Sequence, residues 1–524
     1  LNISLKNKIG AKWRKKGSLF IKGIVNEDVE LDQLVNLQVL NENAVKKLLQ
    51  KQNTFFSLVC ETDTLVFAAV DHLRSYPIFY SVENGNLYLS DDANWIRQQI
   101  QEKKINKLSE SEFLMTGYVT GENTLYSKIK QLQAGEYLVY NRTDKTLNIN
   151  NYYFKKREKV NSDKHNLIND LDQIHINVFK RLINNLNKRT VVLPLSGGYD
   201  SRIIAIMLKR LGYNNVVCFT YGKHGSWEST VSKEVADALN FKWIFIPYSK
   251  SKWREWSISK EREEYFNFAS GLSSLPHVQD HLAVKELTSK RLIPEDSIFI
   301  PGHTAFLSFS GYDPTCNDIK HVANNLLNKH YSLWDWNGKR TDFKHQLNNK
   351  IFNSLFKNND NNTFENLFYQ WEVRERHAKF ICNSVRAYEH FGYEWRIPLW
   401  EKEMVDFWMS VPQKYRVNKN LFKDYFNEKL SLSMPLVSSP NSDFLGRDVS
   451  RGFKLKQLIK KSKNSYMLLS KSRKVADYYK HPLDWYSMLT FYEYFTGIIR
   501  GAENINSFLS EKYISNIKSK QKEK

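Results

Sequence analysis

Val191-Val192-Leu193-Pro194-Leu195-Ser196-Gly197-Gly198-Tyr199-Asp200-Ser201-Arg202 is the stretch on which the fold turns. Its first five residues form an apolar run of strand length and read as a buried strand. Ser196-Gly197-Gly198 can turn tightly, because glycine tolerates unusual backbone angles and lets an anion approach the main chain. Asp200-Ser201 then opens a helix, predicted over Ile203 to Leu211 and stopped by Gly212. Strand, glycine turn and helix N-terminus together offer free N–H groups and a favourable dipole to phosphate. No Lys follows the glycines, so this is not the GxxxxGK[ST] phosphate loop. A Ser/Gly turn joining a core strand to a core helix is the bland alternative.

Downstream, Val216 to Gly222 reads as a second buried strand, Glu228 to Leu239 as a helix and Trp243 to Pro247 as a third strand. Ser297 to Ile300 reads as another, ended by Pro301-Gly302. Strands alternating with helices predict an α/β fold with a doubly wound parallel sheet, whose ligands sit beyond the strand C-termini. Upstream, apolar spacing predicts a helix over Asn166 to Asn185 that feeds the first strand. Residues 1–150 look strand-rich. Phe55 to Cys60 and Leu65 to Val70 flank a hairpin turn at Glu61-Thr62-Asp63-Thr64, with further strands at Ser18 to Gly23 and Asn86 to Asp91.

The motif SGG-x-DS resembles the pyrophosphate loop of the PP-loop ATP pyrophosphatases, which split ATP between its α and β phosphates to adenylate an acceptor. Within that superfamily the chain resembles the asparagine synthetases. Gly392-Tyr393-Glu394-Trp395-Arg396-Ile397-Pro398-Leu399 is similar to their Gly-x-Glu-x-Arg-x-Pro-Phe segment, and Met404-Val405-Asp406-Phe407 to the helix that follows it. The order of strands in residues 1–150 looks like their N-terminal glutaminase domain. The resemblance covers most of residues 50 to 430. It implies a degenerate glutaminase-type (Ntn) β-sandwich at 1–150, a PP-loop synthetase domain at 151–430 and a basic helical extension at 431–524. The branches that it brings to mind are β-lactam synthetases, lasso-peptide cyclases and members from polysaccharide clusters.

Site residues carry over from the resemblance one by one. It implies that Leu195, Ser196, Gly197, Gly198, Asp200 and Ser201 hold ATP and its departing pyrophosphate, that Asp200 binds magnesium, and that Thr220, Tyr221 and Gly222 lie near adenine. Gly302 keeps its place in the second loop, and Lys419 takes that of a lysine facing charge that develops at the adenylate. Lys419 and Asp200 are therefore the catalytic candidates, with ATP and Mg as cofactors. Two departures stand out. His303, Phe306 and Leu307 occupy positions where the family carries acids. The family's glutaminase nucleophile is an N-terminal cysteine, whereas position 1 is Leu and the first cysteine, Cys60, lies mid-strand. Glutaminase chemistry is not expected, and what precedes Leu1 stays open. Glu228 reads as either a ligand or a helix-start carboxylate, and Glu394 with Arg396 as a buried ion pair.

Composition bounds the partners. With 41% hydrophobic and 14% aromatic residues the 524-residue chain is globular. The net charge of +21 suits nucleotide, nucleic acid, acidic glycan or a membrane surface, although dispersed lysines serving solubility explain it equally well. Eight Lys or Arg residues lie between Lys454 and Lys474. Cys60, Cys218, Cys316 and Cys382 form no CxxC pair, so neither disulfide framework nor zinc site is indicated, and Cys60 and Cys218 read as core thiols. No run is long and apolar enough for a membrane span, no secretory leader is visible, and a cytoplasmic location is expected. Trp485 to Ile499 should pack on the synthetase part, and Ser519 to Lys524 should be disordered.

The leading expectation is an ATP-dependent amide-forming ligase that joins a small-molecule or glycan carboxylate to an amine or ammonia. Surface polysaccharide biosynthesis is the setting that the resemblance brings forward. Two alternatives stand beside it: a catalytically silent scaffold of the same fold, and a PP-loop enzyme acting on tRNA. The segment Gly392 to Pro398 speaks against the tRNA enzyme, and a homodimer stays open.

Overall fold

The computed structural model describes residues 1–6, 10, 12–25, 42–153, 163–306, 312–337, 340–357, 363–416, 419–430 and 474–522. The expectations placed on Leu307 and 454–473 lie outside these residues.

The first part of the chain pairs into two sheets. Phe56–Glu61 and Leu65–Val70 form the anticipated hairpin at the middle of a six-stranded sheet, with Glu136–Asn141 and Leu147–Asn151 on one side and Leu19–Gly23 and Arg14–Lys16 on the other. A four-stranded sheet runs Asn2–Ser4, Asn86–Ser90, Phe79–Glu83, Lys130–Gln131. Side chains alternate across a strand, so one sequence supplies two cores. Val59, Val66, Ala68 and Val70 meet Ile78, Leu87 and Leu89 between the two sheets, while Leu58, Cys60, Phe67 and Ala69 point into the main core. All four cysteines are buried and unpaired.

The second part is a five-stranded, all-parallel sheet ordered Lys242–Pro247, Val216–Gly222, Val191–Pro194, Ile298–Phe299, Glu394–Trp395. The chain leaves Val191–Pro194 in one direction through two strands, then returns to pair on the other side at Val191↔Ile298. Strand order therefore reverses between Val191–Pro194 and Ile298–Phe299, and the crevice at that reversal opens beyond the strand C-termini. Tyr76 stacks on Trp395 with centroids 5.0 Å apart, and Arg386 Nη2 donates to Ser75 O at 2.6 Å, which fastens the first part to the edge of this sheet.

Several elements differ from the sequence expectations. The helix after the glycine turn begins at Tyr199, with Gly198 at its N-cap, rather than at Ile203. The aromatic and basic stretch Phe364 to Phe391, whose spacing predicts one long helix, is α-helical only at Phe364–Trp371 and Arg386–His390, joined by a π-helix, Glu372–Ile381, and a short 3₁₀ turn. Residues 313–363, a stretch rich in Asn and Lys with no clear periodicity, contain the helices Ile319–His330 and Thr341–Lys357, which bury Leu326, Leu327, Leu347 and Ile351. Of the tail expected to be disordered, residues 519–522 are the end of a helix, Ile505–Lys522, anchored by Phe508, Leu509, Tyr513 and Ile514, and residues 523–524 lie outside the described residues. Trp485–Met488 packs on Lys250–Ser257 as expected, where Trp253 Nε1 donates to Leu483 O at 2.6 Å.

Phe299 is wholly buried, stacks on Tyr388 at 4.5 Å and meets Phe219 edge-on. Phe299→Ala should cost roughly 3–5 kcal/mol in denaturant unfolding. A loss under about 1 kcal/mol would mean that the strand reversal does not depend on this ring.

Candidate functional site

A cavity of about 350 Å³ opens at the strand reversal. Ser196, Asp200 and Ser201 line it from the end of the first strand and the start of the next helix, and Gly302 and His303 from the end of the returning strand. Tyr221, His277, Asp280 and Ser384 close its far side.

The glycine turn is held by its own side chains. Ser196 N donates to Ser201 Oγ at 3.1 Å, and Gly198 N donates to Ser196 Oγ at 3.2 Å. No side chain caps the helix Tyr199–Arg210 at Gly198. Two glycines are demanded by close approach. A Cβ on Gly197 would lie 2.2 Å from the Trp227 ring, and one on Gly302 would lie 2.9 Å from Ser201 N. The two loops are thus packed backbone against backbone.

Asp200 points from the first turn of the helix, and its Oδ1 is buried without a hydrogen-bond partner. Burial pushes its carboxyl up to about 6, against the pull of the positive charge on Lys419. Lys419 starts the helix Asn420–Tyr425 from a left-handed backbone (φ 62), and its Nζ lies 5.8 Å from the centroid of the Phe306 ring and 6.0 Å from that of Phe422. A non-glycine residue held there stores strain, a feature that gathers at functional sites. Phe306 thus occupies an expected acid position as a floor for Lys419.

His303 is partnered on one side. Ser384 Oγ donates to Ile381 O, so it accepts from His303 Nε2 at 3.1 Å, which leaves the lone pair on Nδ1 buried and without a donor. Burial pushes His303 down to about 4 and His277 down to about 3, so both imidazoles are neutral at pH 7. Asp280 is engaged at both oxygens, by the hydroxyls of Tyr221 and Tyr388, each at 2.5 Å.

Of the residues singled out from the sequence, Ser196, Asp200, Ser201, Tyr221 and Gly302 line the cavity. Leu195, Gly197 and Thr220 lie behind it. Leu195 N donates to Phe219 O, and the Thr220 hydroxyl is spent on Leu195 O at 2.6 Å. Gly198 is exposed at the turn, and Gly222 adopts φ +128 against Pro482 O. Glu228 sits in the first turn of Trp227–Ala238 and is raised by desolvation. Glu394 and Arg396 do pair, at 2.8 Å, but Glu394 is 41% exposed and shared with Arg189, so this is a surface triad and not a buried pair. The sequence reading missed His277, Asp280 and Ser384. The polar run Pro276-His277-Val278-Gln279-Asp280-His281, set between Leu275 and Leu282, was the signal for the first two.

A magnesium-bound nucleotide fits these residues. The uncapped helix start offers N–H groups, the cradle is one that a Cβ on Gly302 would close, and Asp200 Oδ1 is unpartnered. Among the described residues no group of three or more His, Cys, Asp or Glu side chains could hold a metal ion. That suits magnesium, which commonly takes one or two carboxylates and draws the rest of its shell from phosphate and water.

The family model described as "Glutamine amidotransferase domain" matches residues 29–153, and that described as "Asparagine synthase" matches residues 186–255, which hold the glycine turn. The chain is asparagine synthetase-like. No curated protein matches it. Among solved structures 27 chains match. One is glutamine phosphoribosylpyrophosphate amidotransferase from B. subtilis complexed with ADP and GMP, at 9% identity and a TM-score of 0.17, over 56% of this chain and 64% of that one. The asparagine synthetase-like chain thus spans under two thirds of that protein, and a TM-score so low carries no argument.

Asp200 gives a pH signature. Its folded pKa, about 6, lies above the ordinary carboxyl value of 3.8, so its contribution to stability is full below the lower value and is lost as pH rises through the upper one. Asp200→Asn should therefore gain roughly 1 kcal/mol over the native chain above pH 6, and nothing below pH 4, in unfolding followed across pH. An equal gap at all pH values would mean that the carboxylate is not desolvated.

Proposed function

We propose that this chain is an ATP-dependent ligase that adenylates a substrate carboxylate and passes the acyl group to an amine or ammonia, releasing pyrophosphate and AMP. The single observation that carries the reading is the unpartnered, desolvated Asp200 carboxylate beside an uncapped helix start at the strand reversal. The asparagine synthase match over the same turn supports it.

On this reading the residues divide their work. The N–H groups opening Tyr199–Arg210 and the hydroxyls of Ser196 and Ser201 bind the leaving pyrophosphate. Magnesium, when bound, neutralises phosphate charge, and Asp200 holds it. Lys419 faces the negative charge that grows as the carboxylate oxygen attacks the α-phosphorus and the bridging oxygen departs. In the second half the amine attacks the acyl carbon, AMP leaves with the bonding pair, and the proton lost by the amine needs an acceptor. His303, neutral and with a free lone pair on Nδ1, is the base in the cavity wall. An acidic sugar or its precursor remains the substrate class that best suits the +21 charge. The N-terminal sheets then serve as a scaffold with no glutaminase step, and the domains divide as 1–150, 151–430 and 431–524.

A silent scaffold is the second reading, favoured by His303 and Phe306 standing where acids were expected. Calorimetry with Mg-ATP separates the two. The native chain should bind, Asp200→Ala should weaken binding by roughly tenfold or more, and binding should release protons below about pH 6 and none well above it. A folded chain that takes up no Mg-ATP gives the scaffold the better claim.

Lys419→Met should leave Mg-ATP affinity within about threefold yet cut pyrophosphate release by roughly a hundredfold or more, once a carboxylate acceptor is found by screening. Equal losses in binding and turnover would place Lys419 in ground-state binding alone.

A further inference from the structure

Five of the eight large hydrophobic side chains that stand exposed among the described residues share one place: Tyr479, Phe491, Tyr492, Phe495 and Ile499, at 53%, 40%, 76%, 43% and 57% exposure. Single exposed apolar residues are ordinary, whereas a contiguous group marks a contact surface. Tyr479 lies 5.8 Å from Phe491, and Phe491 stacks on Phe495 at 6.0 Å. Four of the five fall on one face of the helix Phe491–Ile499, whose opposite face is already committed: Tyr494 and Ile498 are buried, and Gly497 lies so close to Phe508 that a Cβ would meet it at 2.0 Å. The aromatic face is a second apolar face, one that the core does not use.

Charge identifies the occupant. The one carboxylate of this helix, Glu493, is turned into its capping box with Thr490 and paired with Lys512 at 3.2 Å. Glu503 and Glu511, on the neighbouring turn and helix, are neutralised by Lys474 and Arg500. Lys250 Nζ stands 5.1 Å from the Tyr479 ring, and Lys480 is exposed beside it. The basic run from Lys454, with no Asp or Glu in it, enters this region at Lys474, five positions before Tyr479. The exposed Asp477 stands just before Tyr479, and Lys250 and Lys480 outnumber it there. An aromatic and aliphatic helix face whose own carboxylate and whose neighbours Glu503 and Glu511 are paired, with cations in excess at its margin, has the chemistry of an interfacial helix on an anionic bilayer.

We infer that the face formed by Tyr479, Phe491, Tyr492, Phe495 and Ile499 seats this chain on an anionic membrane surface. Rings enter the headgroup–acyl boundary while the surrounding lysines meet lipid phosphate. No described helix is long and apolar enough to cross a membrane, so the contact is peripheral. The inference does not rest on the proposed ligase chemistry. It gives the charge of +21 a place to act.

Co-sedimentation of the full chain with vesicles tests it, comparing phosphatidylglycerol mixed into phosphatidylcholine with phosphatidylcholine alone. The native chain should pellet with the anionic vesicles, much less with the neutral ones, and less as salt rises. The triple variant Phe491→Ser, Tyr492→Ser, Phe495→Ser should lose roughly tenfold or more in vesicle affinity. Phe491 and Phe495 are more than half covered, so the triple variant should melt a few degrees lower yet stay folded at the assay temperature, which far-UV circular dichroism checks. Undiminished binding by the triple variant would overturn the assignment to this face. No binding to anionic vesicles would overturn the membrane itself, leaving the face to residues 431–473 of this chain, to an acidic protein or to a second copy. Sedimentation equilibrium showing a native dimer that the triple variant dissolves would likewise overturn it in favour of the second copy.

Discussion

The contact on which this architecture rests is the near-touching of two loop backbones, Gly302 against Ser201. Strands Val191–Pro194 and Ile298–Phe299 are about a hundred positions apart in sequence yet adjacent in the sheet, and each must turn away at its end without a side chain between them. Gly197 meets the same demand on the other flank, under the Trp227 ring. With the loops so close, no side chain remains to satisfy the helix start, and Asp200 is left desolvated beside it. Tight packing of the scaffold and unsatisfied polarity in the site are one fact seen from two sides. On the proposed chemistry a bound nucleotide and its metal offset the cost of burying this unpaired acceptor.

The far wall of the cavity is fixed by buried charge. Ile381 ends the π-helix Glu372–Ile381 and Ser384 and Ala387 follow it, and inside that helix Lys379 and Glu375 pair in full burial. Burial drives the Lys379 ammonium down to about 8, while Lys379 holds Glu375 below its usual range against the same desolvation. Glu375 also accepts from Gly121 N at 2.9 Å, and Lys379 donates to Gly121 O at 2.5 Å, so one ion pair clamps a loop from the first part of the chain. Such a pair adds little net stability over apolar packing, but breaking one half of it is expensive. It therefore acts on register, setting where the wall stands relative to the N-terminal sheets. The wider π turn, a form that recurs at functional sites, belongs to the stretch that carries this clamp.

What could be read from the sequence was what local physics writes into it. The apolar runs on either side of Glu61-Thr62-Asp63-Thr64 gave the hairpin, and the apolar run at Val191 gave the central strand, because burial of a strand leaves an apolar run bounded by polar turn residues. In the sequence Gly197 and Gly198 read as admitting an anion, whereas Gly197 and Gly302 are the glycines that close packing requires. The π-helix was invisible, since its residues have ordinary helical spacing and only tertiary contacts widen the turn. Asp280 and Ser384 were missed for a different reason. They come from segments far from the glycine turn, and the fold alone brings them to the cavity. The tail was misjudged because its lysines dominate its composition, while four apolar residues, Phe508, Leu509, Tyr513 and Ile514, decide its packing.

The second loop shows how substitution changes the electrostatics of such a site. Where acids were expected, His303 brings a neutral ring and Phe306 a hydrophobic floor beneath Lys419. A cavity with fewer carboxylates repels phosphate less and offers a metal fewer ligands. The burden of holding a triphosphate then shifts to the helix start, the serine hydroxyls and Lys419. Ring contact with Phe306 and Phe422 limits the paths open to the Lys419 ammonium, and its left-handed backbone fixes where the side chain departs. A cation so confined pays less to reorganise when negative charge grows in front of it, which is the condition for stabilising a transition state more than a ground state. On the proposed chemistry the loss of acids is therefore compatible with catalysis, by a route that leans on a positioned lysine and one carboxylate in place of a carboxylate cluster.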